Sequence, residues 1–275
     1  MPDFVNGEVV ALAGMMLVTG AIGGILAGLL GVGGGIVIVP VLELVLAALG
    51  VDASVRMHVT VATSLATIIP TSISSSRAHH AKGAVDLEQL RHWGVAIFLG
   101  AVIGVILASQ VSGSVLALVF GTVALIVAAK MLLPLEGKHI AQQLPGGALG
   151  QLLPLTIGAV SSMMGIGGGT LSVPTMTLFN FPIHRAVGTA SLFGLLISVP
   201  ATIGFIVAGW GHEGLPEGSL GYVNLLGFAI IAPVSYFAAP WGAKLAHALS
   251  KRQLGVLFGV FLAIVAVRML LRALG

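Results

Sequence analysis

The sequence contains no cysteine, and this absence excludes several kinds of chemistry. A disulfide framework, a thiolate metal site and a cysteine nucleophile all need a residue that the chain lacks. Charged residues are also scarce, at 8% of the 275 residues, against about 25% in an ordinary soluble domain. The 12 lysines and arginines give a formal net charge of +3, which is too little for a basic surface, so we expect no nucleic-acid partner.

Signals for targeting, nucleotide binding and metal binding are missing as well. Residues 1–8 lack the basic start of a signal peptide, so we expect the first apolar run to remain as a membrane segment. No Gly-Lys-Ser/Thr sequence marks a P-loop, and the Gly-x-Gly-x-x-Gly spacing of dinucleotide loops fails at Ile36. The eight histidines lie in polar stretches or near the ends of apolar segments, and the pair His79-His80 is typical of a polar loop. We therefore predict no metal, no cofactor and no enzymatic activity.

Long apolar runs are what the chain does contain. It is 57% hydrophobic, with a mean hydropathy of +1.10. Residues 9–30 form an uncharged run of 22 residues, which as a helix spans about 33 Å and crosses a bilayer. Five apolar segments precede a polar stretch near the middle of the chain and five follow it. The sequence predicts an all-α polytopic membrane protein in a lipid bilayer, and leaves the oligomeric state open, with a homo-oligomer as one alternative.

The chain also contains an internal duplication. The motif Gly-x-Gly-Gly-Gly-x-x-x-x-Pro stands at residues 31–40 and returns at residues 165–174, 134 positions later. Near the ends of the two halves, Lys130-Met-Leu-Leu matches Arg268-Met-Leu-Leu. Three divisions follow: a first transmembrane repeat (1–133), a linker (134–150) and a second transmembrane repeat (151–275).

The charges of the loops predict that the two repeats are inverted, because basic residues in short loops favour the cytoplasm. The polar stretch 77–92 carries Arg77, Lys82 and Arg91, whereas its counterpart, 210–221, has no lysine or arginine. Corresponding loops then face opposite sides, which requires an odd number of crossings per repeat: five, or three if the segments around each glycine motif form a re-entrant hairpin. The same rule places the N-terminus outside and the linker in the cytoplasm.

Each glycine motif predicts a break between two helices, since glycine disfavours helix by about 1 kcal/mol relative to alanine. The proline at the end of each motif suits the first turn of a new helix or a kink. Breaks at corresponding positions of an inverted repeat indicate a transporter site near the midplane, and the free N–H groups there favour an anion. The alternative is that the glycines only let helices pack closely. The residues of the motifs assigned to this site are Gly33, Gly34, Gly35, Pro40, Gly167, Gly168, Gly169 and Pro174.

Side chains near the motifs are further candidates. Neither motif contains a lysine or arginine, so we expect the backbone to do most of the binding. Arg185 can hold two oxyanion oxygens, although it equally fits an ordinary cytoplasmic charge. Lys130 is expected to extend from the end of its helix to the membrane surface. The hydroxyl candidates, which equally suit bonds to helix backbone, are Thr63, Ser64, Thr170, Thr189 and Ser191.

Two residues are candidates for coupling transport to an ion. Glu43 is an acidic residue inside an apolar segment, where an ionisable group is costly unless it is paired, hydrated or functional. It is a candidate carrier of a coupling proton, and the alternatives are a water-filled vestibule or a pair with Arg56. His58 occupies the position that matches Arg185 in the other repeat.

Four stretches of the sequence are typical of one family: the two glycine motifs, the Ala-Thr-Ser-Leu stretch ending at Leu65 and the Gly-Thr-Ala-Ser stretch ending at Ser191. Together they resemble the TauE/SafE family of sulfite and organosulfonate exporters. The resemblance covers nearly the whole chain, and Glu43 departs from it. It implies a secondary transporter of the prokaryotic inner membrane that exports sulfite, sulfoacetate or a related organosulfonate by alternating access. An anion channel and a carrier for another small carboxylate or oxyanion remain as alternatives.

Overall fold

A computed structural model describes residues 7–31, 33–133, 141–245 and 251–274. Residues 134–140 of the predicted linker and Val32 of the first motif lie outside the described residues. The first half contains five helices: α1 Gly7–Leu30, α2 Gly35–Ala48, α3 Ala53–His80, α4 Leu87–Gln110 and α5 Gly113–Leu132. The second half also contains five: α6 Gly147–Met164, α7 Gly169–Leu178, α8 Ile183–Ala208, α9 Leu225–Leu245 and α10 Lys251–Leu274.

The protein is a nearly all-α, multi-pass membrane protein. Five of its helices have described stretches long and apolar enough to cross a bilayer, namely Val10–Leu30, Leu87–Gln110, Gly113–Leu132, Ile183–Ala208 and Leu225–Leu245. One feature was not predicted, a short antiparallel pair of strands before α9. It consists of β1 Ser219–Leu220 and β2 Val223–Asn224, with Leu220 opposite Val223.

Helix α3 runs through the centre of the protein rather than along the lipid. It continues through Pro70 and buries a row of hydroxyl side chains, which explains why its hydropathy is lower than that of the outer helices. These hydroxyls can be buried because most of them bond to helix backbone, as Thr71 does to the Thr67 carbonyl at 2.8 Å. α3 packs against α8, the corresponding long helix of the second half.

The prediction of a polar loop over residues 77–92 was wrong at both ends. α3 continues to His80 and α4 begins at Leu87, so only residues 81–86 connect them. The buried His79 ring places Nε2 2.8 Å from the Gly28 carbonyl near the end of α1. At the other end, the Asp86 carboxylate caps α4 by accepting from the Gln89 N–H at 3.0 Å. Long-range and capping contacts therefore extend both helices into the polar stretch.

Helix directions follow from contacts along the two central helices. Ala84, just after α3, packs on Gly188 near the start of α8, while Tyr222, after α8, stacks on His58 near the start of α3. α3 and α8 are therefore antiparallel. α9 runs parallel to α3, because Asn224 meets Thr63 and Tyr236 meets Ser74 further along.

Helix α4 likewise runs parallel to α8. Its N-cap Asp86 meets Thr189, and Val105 meets Gly204 further along both helices. α4 and α9, which occupy the same place in their respective halves, thus run in opposite directions.

The outer helices exchange partners between the halves. α1 packs on α9, α6 packs on α4, and α5 packs on α10. Glycine allows the closest of these approaches: a Cβ on Gly20 would lie 2.9 Å from the Ile231 carbonyl oxygen, and one on Gly24 would lie 2.5 Å from that of Ser235. The Ser235 hydroxyl adds a 3.0 Å bond to the Gly20 carbonyl. Small residues at four-residue spacing serve helix packing here.

Candidate functional site

The two glycine breaks lie against each other. The structure contains the predicted break between α1 and α2 and the predicted break between α6 and α7. A Cβ on Gly33 would lie 3.2 Å from the Gly167 Cα, and a Cβ on Gly35 would lie 2.9 Å from the Ile166 Cα. No side chain larger than that of glycine fits at either position without moving the opposite break.

The conformations of the breaks also require glycine at several positions. Gly33, Gly34 and Gly165 have φ of 73°, 78° and 69°, in the left-handed region that side chains disfavour. Gly168 instead has a φ of −57°. At Gly168 the requirement is spatial, because an added Cβ would lie 2.7 Å from the Phe193 Cβ.

Both breaks lie beside the middle of the central helices. Ile68 of α3 is 2.9 Å from where a Gly33 Cβ would be, and Phe193 of α8 is beside Gly168. The Ser64 hydroxyl donates to the Gly165 carbonyl at 2.7 Å and so fixes the second break to α3. The two glycine breaks thus meet in space between α3 and α8.

The short helices α2 and α7 start at these breaks. From Gly33 beside Ile68, α2 runs back to the first turn of α3, where Glu43 faces Arg56. Since α1 ends near His79, at the opposite end of α3, α2 reverses the direction of α1. Its 14 residues span about 21 Å, which is less than a bilayer.

The prolines of the motifs lie inside the short helices rather than in their first turns. Pro40 is the sixth residue of α2 and Pro174 the sixth of α7. Because proline has no N–H, it leaves the carbonyl four residues earlier without its usual helical donor. At the start of α7, the Ser172 N–H donates to the Gly168 carbonyl at 2.9 Å. The N–H groups of Gly169, Thr170 and Leu171 therefore precede the first helical hydrogen bond.

A cavity of about 170 Å³ opens beside α7. It is lined by the last residue of α1, by one face of α5 and by one face of α7 along nearly its whole length: Leu30, Val127, Lys130, Met131, Gly169, Thr170, Val173, Pro174 and Thr177. The buried Thr170 hydroxyl has no hydrogen-bond partner among the described residues, and Thr170 is only 3% exposed. A buried hydroxyl of this kind is available to a ligand or to water.

The prediction that Lys130 extends to the membrane surface was wrong. Its ammonium turns inward and donates to the Pro174 carbonyl at 3.0 Å. Sequence reasoning therefore missed the one cationic side chain among the described residues that line the cavity. The only signal was its place in the repeat, where it matches Arg268.

Other predicted hydroxyls are already engaged within the protein. The Thr63 Oγ1 accepts from the Asn224 N–H at 2.9 Å, and the Thr189 Oγ1 accepts from the Asp86 N–H at 2.9 Å. The Ser191 hydroxyl donates to the Gly188 carbonyl at 2.6 Å. These three hydroxyls tie the central helices to the starts of α9 and α4 or to their own helix.

The candidate arginine lies in the first turn of α8 and is not among the residues that line the cavity. The Arg185 guanidinium pairs with the buried Asp86 carboxylate and lies 5.7 Å from the centre of the Phe181 ring. Its side chain is 53% exposed. The contacts found for its guanidinium are these two, and neither is with a glycine break.

The two coupling candidates also have partners. Glu43, 3% exposed, faces Arg56 with 3.7 Å between Oε1 and Nη1, so the pair considered from the sequence is formed. The His58 Nε2 lies 3.1 Å from both the Ala108 and Val111 carbonyls, at the C-terminus of α4. Nε2 faces two acceptors, which requires that it carries the proton.

The family of the chain follows from a match over nearly its whole length. The family described as "Sulfite exporter TauE/SafE" matches residues 16–269, nearly the whole chain. The chain belongs to the TauE/SafE family. As a member of this family it is a membrane transporter, in agreement with its apolar helices.

Similar proteins occur in bacteria and archaea. A "Probable membrane transporter protein" of Haemophilus influenzae is 33% identical over 94% of this chain and 98% of its own length. The "Probable membrane transporter protein YunE" of Bacillus subtilis is 24% identical over 93% of this chain and 96% of its own. The "Probable membrane transporter protein MJ0441" of Methanocaldococcus jannaschii is 25% identical over 96% and 97%. No solved structure matches the chain significantly.

Proposed function

We propose that this TauE/SafE protein is a secondary transporter that exports a small sulfur-containing anion, such as sulfite, sulfoacetate or a related organosulfonate, across a prokaryotic inner membrane. The observation that carries the proposal is the contact between the two glycine breaks beside α3 and α8. The backbone of both halves meets there, and a cavity with a lysine and an unpartnered threonine hydroxyl opens beside it.

The helix directions support an inverted repeat. α3 and α8 correspond to one another and are antiparallel, and α4 and α9 do so as well. α1 and α2 form a hairpin that returns the chain towards the side on which α1 began. The three helices that follow in the first half therefore give the odd number of net crossings that inversion requires. Inverted repeats with broken helices at their interface are typical of carriers that work by alternating access.

The orientation follows from the loop charges. The connection 81–86 contains Lys82, and Arg77 and Arg91 lie on the adjoining helix turns, so we place this end in the cytoplasm. The opposite end, with Glu213 and Glu217, then faces outside, as does the N-terminus. α7 begins at the break and ends near Arg185 at the cytoplasmic end, so the cavity belongs to the cytoplasmic half of the protein.

An anionic cargo fits the charges around the break. The first turn of α7 presents N–H groups and the partial positive charge of a helix N-terminus. Lys130 adds a full positive charge to the same cavity. The family description, sulfite exporter, supports a sulfur-containing anion over a carboxylate.

Counterflow in proteoliposomes tests this function. Vesicles preloaded with unlabelled sulfite should accumulate labelled sulfite from outside, with saturation, because a carrier exchanges its cargo while an open pore does not. Ethanesulfonate should compete, the dianion sulfoacetate should compete more weakly, and acetate should not compete. Linear, unsaturated flux without exchange would instead identify a channel, and exchange of acetate in preference to sulfite would identify a carboxylate carrier.

A further inference from the structure

Lys130 is a cationic side chain turned into the protein near the end of α5. Its ammonium donates to the Pro174 carbonyl at 3.0 Å, and it lines the cavity together with Thr170. We propose that Lys130 holds the charge of the bound anion, with the Thr170 hydroxyl beside it, and that the site selects a monovalent oxyanion with a short apolar tail. This inference rests on the proposed function, since it names the charge and shape of the anion that the same site takes.

The charge of Lys130 has no counter-ion in the part of the chain that the structure describes. An ammonium has three N–H donors, and the acceptor found for Lys130 is the neutral Pro174 carbonyl. The ion pairs among the described residues are those of Arg56 with Glu43 and of Arg185 with Asp86. A charged side chain within a membrane segment is costly unless it is paired or hydrated. An anion in the cavity supplies the missing charge.

The Thr170 hydroxyl is an independent indication of a ligand. It is buried without a partner, although buried hydroxyls in proteins are nearly always hydrogen-bonded. Thr170 also belongs to the first turn of α7, where backbone N–H groups precede the first helical bond. An oxyanion accepts hydrogen bonds from all three kinds of donor: the ammonium, the hydroxyl and the backbone.

The remaining lining determines the charge and shape of the ligand. Among the described residues none that lines the cavity is acidic, and four of the lining residues have aliphatic or thioether side chains: Leu30, Val127, Met131 and Val173. One cation balances one negative charge, so the second charge of a dianion, whether sulfate or sulfoacetate, would be buried without a partner. Within the proposed cargo class the site therefore favours the singly charged members, such as hydrogen sulfite and simple alkanesulfonates. A sulfonate head group at Lys130 leaves its alkyl tail on the apolar side chains. Since water occupies about 30 Å³ in the liquid, the cavity has room for several heavy atoms.

The first half of the protein does not repeat this site. The position equivalent to Thr177 is Glu43, 134 residues earlier, and its buried carboxylate is paired with Arg56. A carboxylate at this point repels an anion. Arg268, the counterpart of Lys130, is exposed. The two halves are therefore alike in backbone but differ in charge, which places the anion beside α7 only.

The test measures binding of ethanesulfonate and of sulfate to purified, full-length protein by titration calorimetry. Lys130→Met removes the charge and keeps a side chain of similar length. Lys82→Met is the matched control, because Lys82 makes the same kind of bond, to the Ala243 carbonyl at 2.9 Å, away from the cavity. We expect wild type and Lys82→Met to bind ethanesulfonate equally and more tightly than sulfate, and Lys130→Met to bind it at least about tenfold more weakly.

Thr170→Val, which keeps the shape of the side chain, is expected to weaken ethanesulfonate binding several-fold and replaces Lys130→Met if that variant does not fold. Wild-type affinity in a folded Lys130→Met variant, or in Thr170→Val when it stands in, overturns the assignment but leaves the transport function standing. Tighter binding of sulfate than of ethanesulfonate overturns the charge selection. Wild-type protein that binds neither ethanesulfonate nor sulfite contradicts both this inference and the proposed function.

Discussion

The Ser64 hydroxyl donates a 2.7 Å hydrogen bond to the carbonyl of Gly165, 101 residues further along the chain. Ser64 belongs to the central helix of the first half, and Gly165 is the first glycine of the second break. The bond joins the two halves of the chain beside the breaks, where the helical hydrogen bonding of each half is interrupted. A movement of the second break relative to α3 has to break it.

Replacing Ser64 with alanine tests how much this bond contributes. Ser64→Ala leaves the buried Gly165 carbonyl without this donor, which should cost about 1–3 kcal/mol. Ser191→Ala is the control, because its hydroxyl bonds to Gly188 within the same helix. We expect the melting temperature of purified Ser64→Ala to fall clearly more than that of Ser191→Ala. Equal decreases in melting temperature would mean that the bond between the halves stabilises the protein no more than a bond within one helix.

Gly33 should not tolerate alanine. Its φ of 73° disfavours a side chain, and the added Cβ would lie 2.9 Å from Ile68 and 3.2 Å from Gly167. We expect Gly33→Ala to abolish sulfite counterflow and to lower stability. Gly14→Ala, in α1 with no atom within 4 Å of the added Cβ, should leave both unchanged. Wild-type transport by Gly33→Ala would show that the breaks do not need to lie this close.

The proposed inverted orientation predicts that Arg77 and Glu213 lie on opposite sides of the membrane. The chain has no cysteine, so single cysteines can be introduced at these two exposed positions without a background. An impermeant thiol reagent added to intact cells should label Glu213→Cys and spare Arg77→Cys, and should label both after the membrane is opened. Labelling of both positions in intact cells would contradict the inversion.

The pair of Glu43 and Arg56 is expected to stabilise the protein, whatever its part in coupling. Glu43→Gln leaves an arginine that is only 18% exposed without its counter-ion, which should cost about 3 kcal/mol. The double variant Glu43→Gln, Arg56→Met should recover much of this loss in a thermal unfolding series. Additive effects would show that the two side chains do not interact.

Export measured at several pH values tests separately whether Glu43 carries a coupling proton. If Glu43 carries the coupling proton, Glu43→Gln loses the pH dependence of export. Glu88→Gln, at an exposed position in the first turn of α4, should keep it. If Glu43→Gln keeps the wild-type pH profile of export, Glu43 does not carry the coupling proton, and its role is limited to the ion pair with Arg56.

Local sequence patterns were sufficient to predict the structural features that depend on the backbone conformation of neighbouring residues. Four glycines within five residues strongly disfavour helix, so both breaks were predictable. The meeting of the breaks in space followed from the repeat itself. These features follow from backbone freedom and periodicity, which a sequence displays directly.

Features that depend on distant partners were not predictable. Residues around His79 are polar enough for a loop, and they are helical because His79 finds the Gly28 carbonyl on another helix. Lys130 has the position of a residue that reaches the membrane surface, and it turns inward because Pro174 presents a carbonyl 44 residues further along the chain. The direction of a long side chain is decided by such contacts, about which the local sequence says nothing.

The proposed anion site lies where the second glycine break opens into the cavity beside α7. A crystal structure of the protein with 2-bromoethanesulfonate, recorded at the bromine absorption edge, locates the ligand by its anomalous signal. We expect a bromine peak inside the cavity, against Leu30 and Val173, with the sulfonate at Lys130 and Thr170. A peak elsewhere, for example at Arg185, with none in the cavity, would contradict it.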